Sequence, residues 1–425
     1  MDAEVSTRIM QSVDEGFAEQ CDFTAELVKF PSLRGAEHTA QDFVAAAMRE
    51  QGLAVDRWKI EIEDIRHLPG FSPVAISYDN AFNVVGAHRA ANPKGKSLIL
   101  NGHIDVVPIG PLDMWQCPPF EPRVQDGWMH GRGAGDMKAG LVACLAALTA
   151  LKRSGWQPAA DVFVQSVVEE ECTGNGALAC LQRGYRADAA LIPEPMDHML
   201  IRAQVGVLWF QVRVRGLPVH VRDAGSGSNA IEATFPLMQA LHRLTERWNA
   251  ERSKHPHFAA IDHPINMNVG KIAGGDWASS VPSWCDFDVR IAVYPGQDLA
   301  EARREIEDCI RGAARDDKFL ANSPPDVVYN GFQAEGYVLT GAEAPEAVLD
   351  AAHRAAFGTP LQRVTSTGTT DARFFGLYAD IPALVYGPLS QNIHGFDERV
   401  ELDSVRRITQ SMALFIADWC GLAPL

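Results

Sequence analysis

The sequence predicts an α/β protein interrupted by an α+β unit, and three observations carry that prediction. Up to about residue 205, short apolar runs ending in polar residues alternate with amphipathic segments, as buried strands feeding helices do. From about 206 to 335 the strands alternate apolar and polar residues with period two, the mark of a sheet covered on one face. Helix–strand alternation then resumes and runs to Leu425. At 425 residues the chain also exceeds the size at which one hydrophobic core stops growing, so two domains are expected.

Ser6 to Gln51 reads as two amphipathic helices, broken at Phe30-Pro31-Ser32-Leu33-Arg34-Gly35 where proline and glycine interrupt the pattern. Asn83 to Ala87 is a short strand. Ser97 to Asp105 is a buried strand delivering His103 and Asp105 at its C-terminal tip, where open α/β sheets place their sites. The loop Gly131-Arg132-Gly133-Ala134-Gly135-Asp136 feeds a small-residue helix from Met137 to Arg153. Asp161 to Val168 is a further buried strand with Glu169-Glu170-Glu171 at its end.

Period two then governs Leu208 to Arg215, Asn266 to Ile272, Trp284 to Val293 and a strand near Val327, with helices over Asn229–Asn249 and Asp298–Arg315. This composes two helices on a four-stranded antiparallel sheet. The expected division is one discontinuous domain, 1–205 plus 336–425, and an insertion, 206–335.

The 47% hydrophobic and 22% charged content is that of an ordinary globular chain. A formal charge of −16 argues against a nucleic-acid partner, which needs clustered Lys and Arg. No apolar stretch approaches eighteen residues and the start lacks a basic-then-apolar leader, so no membrane partner is expected. Eight cysteines without CxxC spacing point to a reducing compartment, with the cytoplasm as the expected location.

Five candidate metal ligands, His103, Asp136, Glu171, Glu194 and His394, bracket the insertion. Two imidazoles and three carboxylates suit a pair of divalent ions such as zinc, with one carboxylate left to bridge them. Asp105, two residues from His103, can orient its ring. Three consecutive glutamates at the mouth of a buried strand repel unless a cation compensates them, although such a run is also a common solvated loop. Glu194 lies between Pro193 and Pro195, a rigid setting for a ligand and equally a way to end a strand. The Gly131–Asp136 loop lacks the third glycine of a dinucleotide fingerprint and the Lys-Ser/Thr of a phosphate loop.

Three motifs arrive in a specific order: Asn101-Gly102-His103-Ile104-Asp105-Val106-Val107-Pro108, Gly131-Arg132-Gly133-Ala134-Gly135-Asp136-Met137-Lys138-Ala139-Gly140 and Glu170-Glu171-Cys172-Thr173-Gly174-Asn175-Gly176. Together they resemble the co-catalytic zinc peptidase and deacylase family that includes acetylornithine deacetylase, succinyl-diaminopimelate desuccinylase, aminoacylase and carboxypeptidase G. The resemblance runs from about Phe30 to the C-terminus. It implies a mixed-sheet, zinc-exopeptidase-like catalytic domain with an inserted lid and dimerisation domain. It also implies two divalent metal ions, Zn2+ first and Co2+ or Mn2+ next, one held by His103, Asp136 and Glu194 and the other by Asp136, Glu171 and His394. Glu170 matches the general base that takes a proton from the attacking water and returns it to the departing amine. Asp105 matches the residue that steadies His103, and the Asp136–Met137 peptide is expected to be cis.

By the same resemblance, His220 in Gly216-Leu217-Pro218-Val219-His220 reaches the other subunit of a homodimer and stabilises the oxyanion there. Asn268, Thr369 and Arg373 fall in matching motifs on the substrate side. The expected reaction is hydrolysis of a small-molecule N-acyl substrate, an amino acid or related small amine losing its acyl group. A dipeptidase or exopeptidase, and a deformylase of an amine without an α-carboxylate, are the alternatives. One departure bears on that choice: where many relatives carry an acidic residue and then a carboxylate-binding Arg, this chain has Arg290 and Ala292, so either Arg290, on the same face of the strand, is the substrate contact or the substrate lacks that carboxylate. Trp209, Trp277 and Trp284 are candidates to line the pocket, with lid core as the competing role.

Overall fold

The computed structural model describes residues 2–425. Its first sheet has six strands in the order Ala54–Lys59, Phe82–His88, Val162–Val167, Leu98–His103, Ala189–Ile192 and Ala383–Val385. The first two pairings are antiparallel and the other three parallel. Leu98–His103 and Val162–Val167 are buried at every position, which is why they read as continuous apolar runs rather than alternating ones.

Alternation along Phe82–His88 assigns the two layers over this sheet. A Cβ on Gly86 would meet Met48 in helix His38–Glu50, whereas the Asn83 amide donates to the Gly176 carbonyl in helix Asn175–Gln182. Helices Ala3–Val28, His38–Glu50, Ala139–Arg153 and Leu402–Trp419 form one layer, and Asn175–Gln182 and Ala372–Ala379 the other. By length and apolarity Ala134–Arg153 would pass as a membrane span, yet 89% of that stretch is buried inside the fold. Each leucine it buries removes apolar surface from water worth about 1.5–3 kcal/mol.

A second sheet holds Met267–Gly274, Trp284–Val293, Gly206–Arg215 and Asp326–Ala334 in that order, all antiparallel. Gly206–Arg215 shows the period-two burial that the sequence displays. Helices Ala230–Ala250 and Leu299–Ala314 cover its buried face, and Phe210, Val212, Leu237, Leu241, Phe287, Ile306 and Ile310 form a core separate from the first. The chain passes between the two cores at adjacent points. A Cβ on Gly206 would sit 2.2 Å from the Ala334 carbonyl oxygen and 2.5 Å from the Gly336 nitrogen, so only glycine lets these backbones touch. One expectation needs correcting: the strand carrying His103 ends there, and Asp105 lies in the following loop.

Candidate metal centre

The four parallel strands bring their C-terminal ends together around one acidic centre. His103 is the last residue of its strand, Glu170 and Glu171 follow Val162–Val167, and Glu194 follows Ala189–Ile192 within Pro193-Glu194-Pro195. His394 stands beyond Ala383–Val385, in the loop after the short strand Ser390–Gln391. Asp136 arrives from the turn before helix Ala139–Arg153, and its peptide bond to Met137 is cis. Two glycines make that approach possible. Gly133 has φ 80° and a Cβ there would lie 2.6 Å from Val106, while a Cβ on Gly140 would lie 2.1 Å from the Pro193 carbonyl oxygen.

The two carboxylate oxygens of Asp136 face different histidines. Oδ1 is 3.1 Å from His103 Nε2 and Oδ2 is 3.4 Å from His394 Nε2. Glu171 Oε2 lies 3.1 Å from His394 Nε2. Glu194 Oε1 and Glu170 Oε2 lie 3.8 and 3.9 Å from His103 Nε2. Two overlapping triplets, His103–Asp136–Glu171 and His103–Glu170–Glu194, have donor atoms within 4.8 Å of one another.

Electrostatics of the bare side chains favour a cation. Burial first, then Glu194, Asp371 and Glu171, push the Glu170 carboxyl well above its usual range against the pull of His103. Glu194 is raised for the same first reason, with Asp136, Glu171 and Asp371 adding to it. Burial alone would lower His103, but Glu194, Asp136, Glu170 and Asp105 hold it well above its ordinary value. His394 is likewise driven up to about 11, burial being outweighed by Glu171 and Asp136. A divalent ion among these buried carboxylates would relieve the same repulsion, so the donor set fits metal.

The residues around the ligands fix their positions. The His103 Nδ1 is 2.9 Å from the Asp105 backbone carbonyl oxygen and 3.7 Å from its carboxylate. That carboxylate accepts the backbone N–H groups of Glu170 and Glu171 at 3.3 and 3.1 Å. Asp105 therefore braces both the histidine and the glutamate turn, and the expected carboxylate–ring contact is replaced by a carbonyl one. Glu398 Oε1 accepts the N–H groups of Gly135 and Asp136 at 2.9 and 3.0 Å, and Oε2 pairs with Arg132 at 2.5 Å. Arg132 in turn donates to the Gly395 carbonyl, next to His394. The three glutamates thus diverge: Glu170 and Glu171 face the centre, while Glu169 turns away to Arg34.

Comparison with known proteins adds four findings. The family model described as peptidase family M20/M25/M40 matches residues 99–418. The chain belongs to that family. It is 29% identical to the N-formyl-4-amino-5-aminomethyl-2-methylpyrimidine deformylase of Halalkalibacterium halodurans, over 98% of both chains. It is 30% identical to the succinyl-diaminopimelate desuccinylase of an Azoarcus species, over 80% of this chain and 87% of that one. Among solved structures, the dipeptidase Dug1p of Saccharomyces cerevisiae superposes with a TM-score of 0.79 over 98% of both chains at 14% identity, a likeness of fold. As a member of the M20 family the chain is an amide hydrolase that uses divalent metal.

Beside the M20 centre lies a cavity of about 470 Å3, walled by Asp136, Glu170, Glu171, Glu194 and His394 on one side. Its far wall comes from the second sheet. Arg290 pairs directly across the ladder with Trp209 on one strand and Asn268 on the other, so all three side chains share one face. Asn268, Arg290 and Thr369 line this cavity as the sequence predicts. Arg373 does not: it is 1% exposed, packs on Phe374 and donates to the Thr173 carbonyl behind the wall. Of the three tryptophans, Trp209 lines the cavity, while Trp277 is 73% exposed and the Trp284 indole N–H donates to Asp276. Gly331 makes room for the Trp209 ring, since a Cβ there would lie 2.7 Å from it.

Arg290 donates to the carbonyls of Asn266 and Thr367, and burial lowers its pKa to about 10. No carboxylate pairs with it among the described residues. Ala292, two residues on, is fully buried in the second core. His220 is exposed and outside this cavity; its ring accepts the Arg222 N–H. Met196, Phe332, Thr370 and Ile393 also line the cavity; Thr370 and Ile393 adjoin Thr369 and His394, whereas Met196 and Phe332 carry no motif that would select them. The Arg132–Glu398 pair was equally invisible, although Glu398 stands four residues from His394.

Proposed function

We propose that this protein removes a short N-acyl group from a small amine with a pair of divalent cations, zinc being the best match to the donor set. The carrying observation is Asp136, whose two oxygens face His103 and His394 separately. His103, Asp136 and Glu194 would hold one ion, and Asp136, Glu171 and His394 the other. When bound, the ions supply Lewis-acid polarisation of the amide carbonyl and acidify the attacking water. Glu170, buried beside both sets, takes the proton of that water and returns it to the departing nitrogen.

Formyl on a heteroaromatic amine is the preferred substrate in this reading. The deformylase relative matches over nearly the whole chain, Ala292 replaces the arginine that would bind an α-carboxylate, and Trp209 and Phe332 offer aromatic surface. Deacylation of an N-acyl amino acid is the second reading, because Arg290 reaches the cavity without a carboxylate partner. The test is a panel comprising N-formyl-4-amino-5-aminomethyl-2-methylpyrimidine, N-formyl, N-acetyl and N-succinyl amino acids, and dipeptides. Each is assayed with chelator-stripped protein and after reconstitution with Zn2+, Co2+ or Mn2+. Stripped protein should lose turnover and zinc should restore it, with the pyrimidine formamide giving the highest kcat/KM. Full activity without metal overturns the mechanism; a higher kcat/KM on acyl amino acids or dipeptides transfers the assignment to that class.

We further propose a homodimer, formed through the insertion, in which His220 completes the site of the other copy. Support comes from exposed apolar side chains near it, Leu217, Val221 and Trp277. A cytoplasmic setting is proposed on the eight free cysteines. Co-purified His220→Ala and Glu170→Gln chains, each inactive alone, should regain part of wild-type turnover when mixed. An equimolar mixture that stays as inactive as its parents, despite forming dimers, would confine His220 to its own subunit.

A further inference from the structure

The second sheet is joined to the catalytic turn by a buried chain of hydrogen bonds. It begins at Gln333, the residue after the cavity-lining Phe332, whose backbone N–H donates to Ser72 Oγ at 3.0 Å. The Ser72 backbone is clasped by Asn175, its N–H donating to Asn175 Oδ1 at 3.1 Å and its carbonyl accepting from Asn175 Nδ2 at 3.0 Å. The second proton of that amide goes to the Tyr78 hydroxyl at 3.1 Å, and Tyr78 donates to Glu169 Oε2 at 2.7 Å. Arg34 closes the chain on Glu169 with two bonds of 2.5 and 2.8 Å, and the Thr173 hydroxyl adds a third at 2.9 Å.

The proton count is consistent throughout. Asn175 uses both amide protons and its oxygen, Tyr78 gives one proton and accepts one, and the Glu169 carboxylate only accepts. Ser72 and Asn175 have no exposed surface, Glu169 has 1%, Gln333 4% and Tyr78 6%, so each bond is shielded from competing water. Glu169 itself has φ 67°, a left-handed conformation that a non-glycine residue adopts at a cost, and its carbonyl accepts N–H groups from Thr173 and Gly174. The φ of Glu169 sets where Glu170 points.

We propose that Ser72, Asn175, Tyr78 and Glu169 are positioning residues: a hydrogen-bonded strut that couples the cavity wall at Phe332 to the placement of Glu170. Substrate seated against Phe332 bears on Gln333, and the strut carries that position to the turn that aims the base. The inference rests on Glu170 being the general base. It explains why a serine, an asparagine and a tyrosine remote from the metal are buried and mutually satisfied, and why Glu169 differs in fate from its two neighbours.

The test measures kcat, KM, bound metal and melting temperature for Ser72→Ala, Tyr78→Phe, the double variant and Glu170→Gln. The substrate is N-formyl-4-amino-5-aminomethyl-2-methylpyrimidine, or the best-hydrolysed amide of the panel above. Each single variant should lower kcat by about tenfold, the scale of a sub-ångström misplacement, with KM within about twofold and metal content unchanged. The double variant should be no slower than the slower single, because both cut the same strut. Ser72→Thr, which retains the hydroxyl, should recover most of the lost kcat. Effects that multiply, or a fall in melting temperature with kcat intact, overturn the strut. Should Glu170→Gln keep turning over, the base assignment fails instead, so the two failures are distinguishable.

Discussion

Glu170→Gln is expected to lower kcat by about 10²–10⁴-fold, the contribution of a positioned general acid–base group, while bound metal and melting temperature stay near wild type. The amide is isosteric with the carboxyl but cannot take a proton from water. Glu170 Oε2 is 3.9 Å from His103 Nε2, slightly farther than Glu194 Oε1 at 3.8 Å, and both belong to one donor triplet. Distance alone therefore leaves the two carboxylates alike, and metal analysis of the variant separates them. A drop in bound metal parallel to the drop in kcat would move Glu170 into the ligand set. Single-turnover kinetics on the loaded protein complete the measurement, because product release can mask a chemical step in steady state.

Glu398→Ala should cost about 3–5 kcal/mol of stability, as breaking a buried ion pair does, and weaken metal binding about 10–100-fold. The Arg132–Glu398 pair is 2% and 1% exposed. Burial first, and then the Asp136 charge, raise the Glu398 carboxyl against the pull of Arg132, and buried ion pairs in general are seldom more stabilising than apolar residues of the same volume. Its value lies in what it holds: the N–H groups of Gly135 and Asp136 on one side and, through Arg132, the Gly395 carbonyl on the other. The double substitution Arg132→Met with Glu398→Leu should accordingly regain much of the stability without regaining metal affinity. Denaturant unfolding and metal titration read these separately. Wild-type values for Glu398→Ala in both would remove the pair from any role at the centre.

Much of this architecture was legible in the sequence because burial imposes periodicity. Leu98–His103 and Val162–Val167 are covered on both faces and read as unbroken apolar runs, while Gly206–Arg215 is covered on one face and alternates. Ligands standing at strand ends, such as His103, Glu171 and Glu194, are flagged by the abrupt change from apolar to charged residues. Contacts between remote segments leave no such trace. Glu398 reaches Arg132 across 266 positions and Tyr78 reaches Glu169 across 91, and neither pair follows from local pattern. Arg373, a charged residue in a matching motif, is read as a substrate contact, whereas the structure sets it behind the cavity wall on the Thr173 carbonyl and the Phe374 ring, with its buried Nη1 unpartnered among the described residues. Trp284 shares the sheet face of Trp209 and Arg290 but stands six residues along its strand from Arg290, and Trp277 lies in the loop after Met267–Gly274, so position along the sheet, which local pattern does not show, separates them from Trp209.

Because the chain leaves and re-enters the first core at two touching glycines, Gly206 and Gly336, the whole intervening segment is covalently attached at effectively one joint, its other ties being hydrogen bonds such as Gln333 to Ser72. A segment attached that way is exchangeable as a cassette. Chimeras between relatives cut at these two seams would inherit the hydrolytic centre from one parent and the wall bearing Trp209, Asn268 and Arg290 from the other. Within such a lineage, chemistry and selectivity can diverge on separate schedules.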